Sequence, residues 1–421
     1  MQELVYWIWL SLAVTPGSPT FKRLLSGYSD AKAIYDAELC DISKYIGSRC
    51  SDRARLCEKD LTRAVEILKY CEKYDIGILV YSDENFPVSL REIDTPPVLL
   101  YYRGRVPDFN KHFSLAIVGT RSLSDYGRRS AFIAAYETSL AGAIVVSGMA
   151  MGIDGVAHAG ALAAGGVTVA VIGTGINICY PEEHKILARE IVKNGCVFSE
   201  FAPGTPPSRT SFPKRNRIIS GLCAATLVIE GKERSGSLIT ARCATEQGRA
   251  VFALPGNVNS QNSEATNLLL KNGAKLFTSS DEIIRGFEKT YPGVLNPFKL
   301  PKNFNLDIKA ALSAYRVVAV SPDDEIFTPP VFNKIKKEKQ KQEEVKITEE
   351  KSTATTSEPP QSFDAVALKI YKKIPTGGEC SIESLVDSDM PLRTVMQGLL
   401  KLEMGRFIEM CPGELVKRKS N

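Results

Sequence analysis

The sequence predicts an α/β protein built on a parallel sheet with right-handed crossovers, with a helical segment before the sheet and a small helix-and-strand domain after it. Three observations carry that expectation. Short, apolar, β-branched segments recur at regular spacing between about residues 114 and 287, separated by stretches of helical composition. Glycine-containing loops follow several of these segments, at the strand ends where open parallel sheets hold their ligands. A dense mixed-charge stretch then divides the sheet region from a last compact segment.

Composition sets the outer limits. A chain of 421 residues is long enough for two or three domains, and 44% apolar with 24% charged residues is the balance of a globular protein. The net charge is only +5, so any polyanion binding must come from local clustering of cations. The ten cysteines include no CxxC pair, and His112, His158 and His184 are the only imidazoles. That excludes a structural zinc site, predicts no metal, and fits free thiols in a reducing cytoplasm.

The order of elements follows. Residues 1–100 read as a helical domain with breaks at Pro16-Gly17-Ser18-Pro19 and around Gly77, a pattern resembling a sterile-alpha-motif or helix-hairpin-helix bundle. Its opening apolar run, residues 4–14, is shorter than the roughly 20 residues a bilayer requires. Glu3 stands where a secretory signal would place Lys or Arg, so a buried first helix and no membrane association are expected. Residues 97–102 read as a strand leading into the domain of residues 101–288. There the strand candidates are 115–119, 143–148, 167–172, 196–199, 225–230, 250–253 and 274–277, short, mainly apolar and β-branched as strands buried on both faces should be. Residues 289–361, with the charged run 334–351, read as a flexible linker lacking the apolar surface that ordering requires. In residues 362–421, segments 366–371, 381–386 and 392–402 read as helices. Segments 405–410 and 414–418 read as strands joined at Pro412-Gly413, the order of a winged helix.

Candidate functional residues sit in the loops. Gly119-Thr120-Arg121 closes the first strand; Gly119 lets backbone approach a ligand, and Arg121 can fork onto a phosphate. The motif is neither GxGxxG nor GxxxxGK[ST], so a P-loop ATPase has no support. Gly148 begins a loop that runs to Asp154, which shares a helical face with His158; a structural hydrogen bond is expected there rather than a catalytic dyad. Ser235-Gly236-Ser237 offers hydroxyls and bare amides at a helix N-terminus, a second anion seat. Residues 201–229 contain no acidic residue while Arg209, Lys214, Arg215 and Arg217 crowd their middle. Phe212, Lys214, Arg215, Asn216 and Arg217 therefore read as a polyanion-binding surface with a ring that can stack on an unpaired base.

In order along the chain stand Val118-Gly-Thr-Arg121, Ser147-Gly-x-Ala-x-Gly-Ile-Asp154 with Ala157-His158, and Gly173-Thr-Gly175. Tyr180-Pro181, Ser199-Glu200, Phe212-Pro-x-Arg-Asn-Arg-Ile-Ile-x-Gly-Leu222, Ser235-Gly-Ser-Leu-Ile-Thr-Ala241 and Leu254-Pro-Gly256 follow. This series resembles the DNA-processing protein A family (DprA, also called Smf) from about residue 101 to residue 287. The resemblance implies an extended Rossmann-like fold and a non-enzymatic, cofactor-free, single-stranded DNA-binding protein. It implies protection of incoming DNA in natural transformation, loading of a RecA-type recombinase, and a homodimer in the cytoplasm. On this pattern Arg121 would hold a phosphate, Lys214, Arg215 and Arg217 would line the strand's path, and Phe212 could stack on a base. Two positions depart from the pattern: Met151 stands where the family usually has Arg, and Ala265 where it usually has Gly. The segment 267–272 resembles a region implicated in dimer and recombinase contacts. A second class remains open, a nucleotide phosphoribohydrolase on a related sheet. Its Pro-Gly-Gly-x-Gly-Thr-type loop would correspond to Ser235–Thr240, and Glu246 would be its carboxylate.

Overall fold

The computed structural model describes residues 2–47, 50–301, 304, 306–315, 364–375, 380–386, 390–404, 407–411 and 415–418. They fall into two units, one within Met1–Lys334 and one within Ile335–Asn421.

The first unit is organised by a nine-stranded sheet. Its strands are β1 (Gly77–Val80), β2 (Leu99–Gly104), β3 (Ser114–Val118), β4 (Ile144–Ser147), β5 (Thr168–Ile172), β6 (Cys196–Ser199), β7 (Ala225–Val228), β8 (Ala250–Ala253) and β9 (Lys275–Leu276). The order across the sheet is β1-β2-β6-β5-β4-β3-β7-β8-β9. β1 and β2, and β2 and β6, pair antiparallel; every pairing from β6 through to β9 is parallel. Every residue of β3, β4, β5, β6 and β7 is buried, which is why each is apolar apart from a single Ser or Thr. Chain order reverses beside β3: β4 to β6 extend to one side and β7 to β9 to the other. The crevice beyond the carboxyl ends of β3 and β7 is thus the topological switch point of the sheet.

The domain boundaries differ from those drawn from sequence. The helix Gln2–Ala13 buries Trp7, Ile8, Trp9 and Leu10, as its all-round apolarity requires. These side chains share one core with Tyr101, Ala170, Ile172 and Val197 of the sheet, so the N-terminal helices pack on the sheet and form no separate body. The segment around Gly77, expected as a break between helices, is the edge strand β1. Ile78, Leu79 and Val80 give it the β-branched, apolar character of a strand, and they pair with Leu99–Tyr101 of β2. The segment from residue 289, expected as the start of a linker, stays packed as far as residue 315. Asn296 N–H donates to Ala141 O at 2.9 Å, and Leu300, Phe304, Ile308 and Leu312 lie against the core around β3. Residues 316–361, the remainder of the expected linker, lie outside the described residues.

The second unit holds the helices Ala365–Lys373 and Leu392–Met404 and strands β10 (Cys380–Ser381), β11 (Ile408–Cys411) and β12 (Leu415–Arg418), in the sheet order β10-β12-β11. The segment expected as a second helix is a two-residue strand followed by the short 3-10 turn Ile382–Leu385. Ile370, Ile374, Val395, Leu399, Leu402 and Val416 form its core. The expected turn at Pro412-Gly413 lies outside the described residues.

Candidate nucleic-acid interface

The loop after β3 is clamped from two sides. Thr120 N–H donates to Glu230 O at 2.8 Å, and Ile153 N–H donates to Thr120 O at 3.1 Å. The buried Glu230 carboxylate accepts from Ser124 N–H at 2.9 Å and from the Ser124 hydroxyl, while Asn262 Nδ2 donates to Ser122 O at 2.9 Å. Close approach demands glycine at both contacts. A Cβ on Gly119 would fall 2.6 Å from Ile153 Cγ1, and one on Gly152, whose φ is +87°, would fall 2.3 Å from Thr120 O. So held, the loop turns Arg121 outward, its guanidinium 5.6 Å from the centre of the Phe212 ring.

Phe212 opens the helix Ser211–Gly221, where Pro213 is tolerated because a first-turn residue needs no intrahelical N–H bond. The helical repeat then divides the basic run. Phe212, Arg215, Asn216 and Ile219 share the face that lines a cleft of about 700 Å³ at the switch point. Lys214 and Arg217 lie on the other side and line a separate cleft of about 430 Å³ with Glu92, Asp94, Glu246 and Arg249.

The two buried arginines are structural. Arg215 is 4% exposed, and its Nη1 donates to Gly148 O at 2.7 Å and to Val171 O. Burial pulls its pKa down to about 10, against the opposing pull of Asp154, and burial likewise raises the Asp154 carboxyl despite Arg215. Gly148 makes room for this pair: a Cβ there would sit 2.6 Å from Asp154 Oδ2 and 2.7 Å from Arg215 Nη1. Arg217 Nη2 lies 2.5 Å from Glu200 Oε1 in an ion pair buried on both sides. The expected strand path through Lys214, Arg215 and Arg217 is therefore corrected. Arg215 is the floor of the main cleft, Arg217 is tied up beneath the helix, and Lys214 faces away.

The remaining expected residues do converge. Gly119, Thr120, Arg121, Phe212, Arg215, Asn216, Ser235, Gly236 and Ser237 all line the main cleft, and Gly148 lines an adjoining niche. Asn216 Nδ2 donates to Gly236 O at 3.3 Å, tying the middle of its helix to the start of the helix Gly236–Glu246. Ser235 occupies the N-cap position of the helix Gly236–Glu246, yet its hydroxyl lies 2.5 Å from that of Ser237 instead of capping the helix amides. Lys232 and Arg234, not singled out from sequence, line the same cleft with Arg209 and Tyr180, which the sequence named without assigning them to the site; the three cations are exposed. Arg209 stood in the acid-free stretch, and Lys232 and Arg234 directly precede the Ser235 motif; Glu233 between them hid the local charge. Asp154 is the one carboxylate in the cleft lining, and it is buried. His158 forms no dyad with it: its Nδ1 lies 2.7 Å from Thr168 Oγ1, and burial lowers its pKa to about 3.

The fold and the crevice together define an α/β protein whose doubly wound sheet carries a cation-lined, aromatic-walled cleft at its switch point. The model of the family "DNA recombination-mediator protein A" matches residues 77–288. The chain is 45% identical over 208 residues to the DNA processing protein DprA of Streptococcus pneumoniae, covering 49% of this chain and 72% of that protein. It is 41% identical over 222 residues to Protein Smf of Escherichia coli, covering 52% and 59% respectively. The X-ray structure of the Streptococcus pneumoniae protein superposes with a TM-score of 0.57 at 36% identity, over 68% of this chain and 97% of that one. The chain belongs to the DNA recombination-mediator protein A family.

Proposed function

We propose that this chain binds single-stranded DNA in the switch-point cleft and acts in DNA processing as a recombination mediator. One observation carries the reading. Arg121, Arg209, Lys232 and Arg234 stand exposed around one crevice whose lining holds no exposed carboxylate and whose wall includes the rings of Tyr180 and Phe212. Cations set around a crevice follow a phosphate backbone, and rings beside them need bases that are not paired. The family description and the names of the relatives agree with such a role.

The reading is of a binding protein, not an enzyme. Glu246, the carboxylate a phosphoribohydrolase would require, lines the second cleft and not the first. Protection of DNA during natural transformation, loading of a RecA-type recombinase and a cytoplasmic location rest on the family resemblance. No helix among the described residues is long and apolar enough to cross a membrane. A homodimer draws support from the edge strand β9, where Leu276 and, on the neighbouring helix Glu264–Lys271, Leu268 are exposed. The second unit is proposed to be a winged helix on the order of its elements.

Competition tests the main reading. Unlabelled single strand should displace a fluorescent single-stranded oligonucleotide from the protein at far lower concentration than duplex of the same sequence. Equal displacement by duplex would reject an unpaired-strand site.

A further inference from the structure

The ring that the sequence singles out has little free surface. Phe212 is half-buried, with the Arg121 guanidinium 5.6 Å from its centre and the Tyr180 ring 5.6 Å away at a tilt of 36°. The backbone of Gly173 presses on its edge so closely that a Cβ there would fall 2.8 Å from Phe212 Cδ1. Phe212 thus props up two neighbours that are themselves open to solvent or ligand.

The open apolar surface lies next to it. Tyr180 is 42% exposed and Met151 45% exposed, and both line a niche of about 50 Å³ with Arg121, Pro181 and Phe212. The loop that presents Met151 is fixed. Met149 before it is buried with φ +56°, its carbonyl lies 2.9 Å from His184 Nδ1, and Gly152 after it is pinned against Thr120. Two large apolar side chains held outward at the rim of a cationic cleft form a surface suited to a flat apolar face. The niche is too small to admit a nucleobase, which would lie across its mouth. On the Tyr180 side of that rim a phosphate is poorly placed, because the exposed Glu182 and Glu183 lie just beyond Pro181, while Arg121 stands on the other side.

We propose that Tyr180 and Met151 form the platform that receives an unpaired base, while Phe212 is a positioning residue that holds Tyr180 and Arg121 in place. The base on the platform is the neighbour of the phosphate engaged by Arg121. This inference rests on the single-strand reading and divides its labour: cations on one wall hold backbone, and Tyr180 with Met151 hold a base.

Anisotropy titrations with a labelled oligothymidylate and with an abasic strand of equal length test it, using the full chain. The parent should bind the base-bearing strand more tightly than the abasic one. Base–aromatic stacking is worth roughly 5- to 150-fold in affinity, so Tyr180→Ala should weaken binding of oligothymidylate by about tenfold or more and leave abasic binding unchanged. Tyr180→Phe should match the parent, and Met151→Ala should lose a few-fold on the base-bearing strand alone. A strand carrying 2-aminopurine should be quenched by the parent and not by Tyr180→Ala. If the parent binds well and Tyr180→Ala matches it on both strands, or weakens both equally, the platform is wrong while the single-strand reading stands. A parent that binds neither strand overturns both.

Discussion

Arg215 and Arg217 stand two positions apart in a run that looks uniformly basic, and neither presents its charge to solvent. Burying a guanidinium demands partners: Arg215 uses the carbonyls of Gly148 and Val171, and Arg217 uses Glu200. Removing one member of such a buried pair strands the other. Arg217→Ala should therefore lower the unfolding free energy by about 3–5 kcal/mol, read by urea denaturation. Lys214→Ala, at a half-buried position on the same side, should change stability by less than about 0.5 kcal/mol and barely alter binding of single-stranded DNA. Equal stability in the parent and Arg217→Ala would contradict the structural role. His158 offers a pH-dependent counterpart. Burial holds its pKa near 3, while the unfolded imidazole titrates near 6.5. Its contribution is complete above about pH 6.5 and is lost as pH falls toward 3, because only the unfolded chain takes up the proton in that window. Between pH 7 and 4.5 this group should cost roughly 2–3 kcal/mol of stability. In His158→Gln the pH-induced loss should shrink by that amount; an unchanged loss would place the titration elsewhere.

The loop after β3 acts as a unit, because backbone contacts with Ile153 and Glu230 and the grip of the Glu230 carboxylate on Ser124 set its shape together. Gly152→Ala adds a Cβ against the Thr120 carbonyl at a positive φ, so it should destabilise by roughly 1–3 kcal/mol and shift Arg121. Its affinity for a single strand should fall several-fold even at temperatures where circular dichroism shows it fully folded. Unaltered affinity would mean that the clamp does not place Arg121. Elements of this kind were partly legible in the sequence. Strands β3 to β8 announce themselves because most of their residues are buried, and a doubly buried strand admits few polar residues beyond a Ser or Thr. Gly119, Arg121 and the Ser235 motif were legible because an open parallel sheet dictates which strand ends face the crevice. β1 was lost because a four-residue apolar run next to Gly77 reads equally as a helix break. The division of the basic run was hidden for a different reason. The helical repeat separates Arg215 from Lys214 and Arg217, but which side faces solvent is decided by Glu200 and Gly148, which are distant in sequence. Tyr180 was legible only as part of the Tyr180-Pro181 motif; that it packs against Phe212 at the cleft depends on a residue distant in sequence.

Across the whole molecule, a net charge of +5 on 421 residues gives no strong general attraction for polyanions. Affinity must then come from the few cations that one crevice gathers, and salt dependence counts them. Arg121, Arg209, Lys232 and Arg234 make the exposed set, so four phosphate contacts are expected on a single strand. Residues outside the cleft, the second cleft with its three carboxylates included, should add little to that count. The most direct measurement is the slope of log affinity against log salt for a short labelled single strand, taken on the parent and on Arg121→Ala/Arg209→Ala. At roughly 0.7 per phosphate, the parent slope should be about −3 and that of the double variant about half as steep, with both proteins unfolding at the same urea concentration. A double variant that keeps the parent's affinity and slope would show that the crevice beyond β3 and β7 is not where the strand binds.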